Sequence, residues 1–201
     1  MAPKQPRGEA TVDRLLTTAL QVYAASGQQG FTVNAVSEAS GVSLGSLYHH
    51  FGSFDGLAAA LYTRCMHQLC DAVVEALTRS RTGRTGVRAL VRAYLRFTEE
   101  HPDAALFIHA SAYAGYLTSH AEEIRAAKEP LQEAIARWLL PRIESGEIAP
   151  VPAPLIEVLV IGPVAETARR WLSHTYDADL AQAARLLPDL IWRSLRADPP
   201  A

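Results

Sequence analysis

The sequence predicts an all-α protein, and three observations carry that expectation. Apolar residues recur at spacings of three and four along most of the chain, and no alternating apolar-polar run is closed by a hairpin dipeptide. Ser, Thr and Gly stand where helices would start and stop. The third observation is composition. With 201 residues, 49% of them hydrophobic, and only 12 Gly and 12 Pro, the chain reads as a globule rather than a collagenous or disordered polymer. That length suits one ordinary domain or a small module joined to a larger one.

The first helix is expected from about Ala10 to Ser26, with Leu15, Leu16, Ala19, Leu20 and Tyr23 inward, Gly27 as its left-handed stop, and Lys4 and Arg7 on a loose arm before it. Thr32 can cap a short helix carrying Val33, Val36 and Ala39. Gly41 permits the positive φ that ends it, and Ser43 caps the next helix. Two short helices joined by so tight a turn are a helix-turn-helix. Ser53 then caps a long fourth helix with Asp55 in its first turn, where the helix dipole favours an acid.

Further helices are expected at about Val87 to Glu100, Asp103 to Ala114, His120 to Ser145, Leu155 to His174 and Ala178 to Arg196. Ser119 and Glu122 form a capping-box pattern for the third of these, and Pro154 suits the first position of the fourth. Pro130, Pro141, Pro163 and Pro188 fall inside these periods and predict kinks or breaks.

Several function classes are excluded on the same evidence. The most apolar stretch, Leu155 to Ala165, falls short of the ~20 residues of a bilayer span and contains Glu157, Gly162 and Pro163, so no membrane association is expected. Met1 to Glu9 lacks the apolar centre of a signal peptide. Cys65 and Cys70, five apart on one helix, point about 140° apart, which forbids a disulfide between them and fits a reducing cytoplasm. Cys65, His67 and Cys70 diverge too widely to share a metal, and no phosphate loop or nucleophile elbow occurs, so neither cofactor, metal nor enzyme activity is expected. The net charge of −2 does not announce a nucleic-acid binder, and any such reading must rest on a local motif.

That motif lies in the second helix of the pair. At 100° per residue, Leu47 and Phe51 share one face, while Gly45, Ser46 and His49 share the opposite one, with Tyr48 and His50 on its margins. The capped N-termini at Thr32 and Ser43 offer backbone N–H groups to phosphate oxygens, and Gly45 lets the backbone approach base edges. The segments Gly30-Phe31-Thr32-Val33 and Ala39-Ser40-Gly41-Val42-Ser43-Leu44-Gly45-Ser46-Leu47-Tyr48-His49-His50-Phe51 resemble the DNA-binding domain of TetR-type transcriptional regulators. The likeness covers about residues 10 to 60. Beyond that the chain agrees in length, helix content and the Gly146-Glu147-Ile148 turn.

The resemblance implies that Thr32, Ser43, Gly45, Tyr48, His49 and His50 touch an operator, mostly its phosphates, while their helix reads the major groove. Leu44 and Ser46 complete the candidate set. Two positions depart from the family pattern: Leu44 stands where a basic or polar residue is frequent, and Phe54 where a Lys usually grips phosphate. Residues 1 to 60 hold only Lys4, Arg7 and Arg14 against Glu9, Asp13, Glu38 and Asp55.

Outside the motif, Arg84, Arg88, Arg92 and Arg96 form a stripe at i+4, expected to be a solvated face partly paired with Glu99 and Glu100. The all-round apolar segment Leu155 to Val164, with Leu186, Leu187, Leu190, Ile191 and Leu195, is the candidate dimer surface, since members of the family pair through their last two helices. Phe97, His101, Phe107, His109, Tyr113, Tyr116, Trp138 and Trp171 bring aromatic bulk with polar tips and are the candidate lining of a small-molecule pocket.

The expectation is therefore a cytoplasmic homodimer with a helix-turn-helix DNA-binding domain at 1-55 and a helical effector-binding and dimerisation domain at 56-201. It would act as a repressor released from double-stranded operator DNA by a small-molecule effector. The alternative is a small-molecule-binding helical protein whose DNA-binding head has decayed, suggested by the missing cations. Salt-dependent binding to promoter DNA separates the two.

Overall fold

The computed structural model describes residues 5–111, 114–174, 177 and 179–197. Among these residues ten helices follow in order: α1 Gln5–Gly30, α2 Val33–Ser40, α3 Leu44–Phe51, α4 Phe54–Thr78, α5 Gly83–Glu100, α6 Pro102–Ser111, α7 Gly115–Ser119, α8 Ala121–Glu144, α9 Ala153–Leu172 and α10 Leu180–Leu195. Among the described residues there is no strand, only an isolated antiparallel bridge between Ile148 and Arg196. Among the described residues no helix is long and apolar enough to cross a membrane.

The chain divides into two compact units, Met1–Met66 with Leu106–Ala127, and His67–Ala105 with Lys128–Ala201. This differs from a cut after residue 55. The first unit takes in twelve residues of α4 after Phe54 and also captures the end of α6, all of α7 and the start of α8.

In the first unit α1 packs on α2 and α2 on α3. Leu15, Leu16, Ala19, Tyr23, Val36, Leu47, Leu57 and Leu61 are buried. Phe107 from α6 is the largest fully buried side chain, edge-on to Tyr23 with ring centroids 4.8 Å apart and 5.8 Å from Phe31. Gly27 has φ 63° and interrupts α1 where a stop is expected, after which one more turn carries the helix to Gly30. Arg7 lies inside α1 rather than on an arm before it, and Lys4 is outside the described residues.

In the second unit α10 packs on α5 and α9, and α5 on α9. Helix α5 starts four residues earlier than its apolar period indicates. Thr82 accepts from the Thr85 N–H at 3.2 Å while Thr85 Oγ1 accepts from the Thr82 N–H at 3.1 Å, a capping box built from two threonines. Its glycines are helical for a tertiary reason. A Cβ on Gly83 would lie 2.8 Å from the Trp192 ring, and one on Gly86 would lie 2.0 Å from the Trp138 ring.

Arg142 ties this region together. Its guanidinium lies 4.0 Å over the Trp138 ring, and Nη2 donates to the carbonyls of Ser80 at 3.0 Å and Arg81 at 3.1 Å. Nε has no hydrogen-bond partner and lies 3.9 Å from Glu147 Oε2, while Glu147 Oε1 accepts from the Gly83 N–H at 2.6 Å.

Three local expectations are corrected. The capping box at Ser119 is absent, because Ser119 ends α7 and its hydroxyl donates backward to the Gly115 carbonyl at 3.5 Å. Helices α8, α9 and α10 run through Pro130, Pro141, Pro163 and Pro188 without ending, and Pro154 is the second residue of α9 rather than the first. In the arginine stripe, Arg84 and Arg88 pair with Asp189 of α10 at 3.0 and 3.2 Å. That sharing holds the Asp189 carboxyl below its usual range, chiefly through the Arg84 hydrogen bond.

Candidate nucleic-acid interface

The interface is built by short helices whose ends are all locally determined. Thr32 Oγ1 accepts from the Ala35 N–H at 3.2 Å and opens α2. Gly41, with φ 65°, closes it, a left-handed conformation in which an L side chain would be strained. Ser43 Oγ accepts from the Ser46 N–H at 3.3 Å and opens α3. Two further serines fasten the turn between the helices: the Ser37 hydroxyl donates to the Val42 carbonyl at 2.7 Å, and Ser40 Oγ accepts from the Val42 N–H at 3.2 Å. Those two were not among the expected site residues. Their signal is a pair of serines three apart, just before a glycine turn.

Leu47 is fully buried and orients α3. The exposed face then carries Ser43, Leu44, Gly45, Tyr48 and His49, with Ser46 and His50 half-buried beside it. A Cβ on Gly45 would meet nothing within 4 Å, so the backbone there is open. The His49 and His50 rings lie 5.3 Å apart, and His50 sits beside Gly8 near the start of α1. Thr32 is exposed at the head of α2. All eight sequence-derived candidates thus belong to one helix-turn-helix, with seven of them at the cap of α3 or on the helix itself.

Neither α2 nor α3 carries a Lys or Arg. Arg64 of α4 is bound to Asp13 of α1 at 3.0 Å. Phe54 has its own structural task, since its ring lies 4.9 Å from Phe31 and extends the Tyr23, Phe31 and Phe107 cluster. A position associated with phosphate binding is here spent on packing. What α2 and α3 themselves offer an anionic backbone is their capped N–H groups, the Tyr48 phenol and the imidazoles, with Arg14 exposed on α1.

The eight pocket candidates divide between the two units. Phe107 is buried in the aromatic cluster of the first unit, and His109 is half-buried on the same helix. Tyr116 donates its hydroxyl hydrogen bond to Ser111, and burial pushes its phenol above the ordinary range. Tyr113 lies outside the described residues. In the second unit, the Phe97 and His101 rings lie 5.1 Å apart, tilted at 47°, and share a shallow recess with Gln68, Ala72, Arg96 and Glu100. Trp138 instead packs against Gly86 and Arg142, and Trp171 lies 6.4 Å from His174. Burial raises the thiols of Cys65 to about 12 and Cys70 to about 11, which keeps both protonated and unreactive. Among the described residues no group of three His, Cys, Asp or Glu converges to hold a metal.

Comparison with known proteins agrees with this geometry. Residues 15–61 match the family model for bacterial regulatory proteins of the tetR family. The chain is 27% identical over 190 residues to the HTH-type transcriptional activator FasR of Mycolicibacterium smegmatis, covering 94% of this chain and 84% of that one. A TetR family transcription regulator from Marinobacter aquaeolei VT8 superposes with a TM-score of 0.78 at 21% identity, covering 96% of this chain and 98% of the other. The regulator FadR from Bacillus subtilis, solved in complex with stearoyl-CoA, superposes with a TM-score of 0.71 at 18% identity, covering 89% and 96%.

Proposed function

We propose that this chain, whose residues 15–61 match the family model for tetR-family regulatory proteins, is a transcription regulator that binds a roughly palindromic operator as a homodimer and acts as a repressor released by a small-molecule effector. The carrying observation is the exposed face of α3, which presents Leu44, Gly45, Tyr48 and His49 from a helix capped at Ser43 and anchored through Leu47.

Homodimerisation is supported by an uncovered apolar surface on the last two helices. Val158 of α9 is 64% exposed, and Leu186 and Leu190 of α10 are 57% and 55% exposed. A two-fold dimer matches the symmetry of a palindromic operator, whose half-sites lie one helical turn apart, ~34 Å, or a multiple of it. The effector reading is supported by the stearoyl-CoA complex of the FadR neighbour, which makes a long-chain acyl-CoA the first compound to try. An effector can weaken operator binding only by as much as its own affinity differs between the two states of the dimer.

The test is anisotropy of labelled promoter DNA from beside the chain's own gene, titrated with protein at several salt concentrations and again with stearoyl-CoA. Saturable, sequence-selective binding that stearoyl-CoA weakens is expected. Absence of selective binding to any duplex would return the chain to the decayed-head alternative. A second reading, transcriptional activation, is favoured by the activator FasR, and reporter output with the gene deleted decides the sign.

A further inference from the structure

The outer face of α3 holds a side chain with no polar capacity at a place where polar readers are usual. Leu44 is the first residue of α3, directly after the Ser43 cap, and its side chain is 39% exposed. The other large aliphatic side chains nearby, Val36, Val42 and Leu47, are buried. Gly45 beside it adds no bulk and meets nothing within 4 Å, so the helix surface next to Leu44 is open on that side, with Tyr48 one turn further on along the same exposed face.

In a helix-turn-helix the N-terminal residues of the second helix meet base edges in the major groove. The major-groove edges present acceptors at N7, O6 and O4 and donors at N4 and N6, together with one apolar group, the C5-methyl of thymine. A leucine against any of the polar groups strips its water without returning a hydrogen bond. Against the methyl it removes apolar surface from water on both sides. Attraction to one base and a penalty against the others therefore act together.

We propose that Leu44 is a specificity-determining residue that reads the C5-methyl of one thymine in each operator half-site. The inference rests on α3 being the groove-reading helix. It assigns to Leu44 base selection rather than phosphate binding, which stays with the caps and Tyr48. The absence of Lys and Arg from α3 gives this contact more weight, since no bidentate guanine reading by those side chains is available on the helix.

The experiment uses the full chain and duplexes it enriches from a random double-stranded library. Each thymine of an enriched site is replaced by uracil, which keeps base pairing and removes only the methyl. One thymine per half-site is expected at which uracil weakens binding about fourfold, or about fifteenfold with both half-sites changed, as the loss of one methyl contact predicts. Leu44→Ala, checked for an unchanged melting temperature, should bind thymine and uracil duplexes equally. Leu44→Val should show a smaller penalty than the parent chain and is read at lower salt if the alanine variant binds too weakly. An enriched site without a uracil-sensitive thymine, or a penalty that survives undiminished in both variants, overturns the role of Leu44 and leaves the regulator reading standing. Failure to enrich any sequence overturns the regulator reading, and this inference with it.

Discussion

The DNA-binding head and the second unit are both helical, yet they are specified by different means. Around α2 and α3 the helix ends are set by a side chain within three residues or by a glycine: Thr32, Gly41, Ser43 and Ser53, the last accepting from the Gly56 N–H at 2.9 Å. In the second unit the decisive contacts come from far along the chain. The N-terminus of α5 is shaped by Trp138, Arg142, Glu147 and Trp192, between 52 and 109 residues away from Gly86 and Gly83 respectively. Local caps fix the ends of the short helices that carry the exposed face of α3. Distant contacts make a body whose parts stand or fall together.

The sharpest way to break this contrast is Phe107→Ala, because Phe107 is a large distant contact on which the first unit does rely. It is 1% exposed and packs on Tyr23 and Phe31. Truncation should cost about 3–5 kcal/mol by the usual scale for a buried aromatic. Chemical denaturation measures it. A loss under 1 kcal/mol would mean that α6 merely covers a head that is complete without it.

Arg142→Met comes next in size. It removes three hydrogen bonds, to the carbonyls of Ser80, Arg81 and Trp138, and leaves the Glu147 carboxylate without its cation, while keeping much of the contact with the Trp138 ring. A loss of about 2–3 kcal/mol is expected, the range for hydrogen bonds to a charged group. Glu147→Gln keeps an acceptor for the Gly83 N–H and should cost less. Equal losses from the two variants would show that the ion pair, rather than the carbonyl bonds, dominates.

This division also explains what could be read from the sequence. The helix-turn-helix, its caps, Gly27, Gly41 and the buried Leu47 were legible because each depends on residues a few positions apart. The eight DNA-contact candidates fell within one motif for the same reason, although operator contact itself is a proposal. The packing role of Phe54 was not legible because its partner, Phe31, lies 23 residues back, and a half-buried aromatic at a helix start has no local signature. The start of α5 was missed because Gly83 and Gly86 look like loop punctuation until the two tryptophans are in place. The helices containing Pro130, Pro141, Pro163 and Pro188 were expected to kink or break, and none of them ends at its proline, although each ring removes a backbone donor.

The smallest expected effects come from the same substitution made once in each region. Replacing a helical glycine by alanine ordinarily stabilises a helix interior by roughly 0.5–1 kcal/mol, because alanine loses less backbone freedom on folding. At Gly86 the new Cβ would lie 2.0 Å from the Trp138 ring, so the indole must move. Overpacking of that kind costs typically 1–3 kcal/mol, which exceeds the propensity gain and leaves Gly86→Ala destabilised by about 1–2 kcal/mol. Trp138→Leu should recover part of that loss in the double variant, since the atoms responsible for the clash are gone. At Gly45 the Cβ meets nothing, and helical geometry is already adopted, so Gly45→Ala should leave stability unchanged or raise it by up to about 0.5 kcal/mol so near the helix start. The same methyl would stand between α3 and DNA, and operator affinity should fall while the melting temperature does not. Should Gly45→Ala bind its operator as tightly as the parent chain, the backbone of α3 does not approach the groove floor, and the open face at Gly45 has no part in recognition.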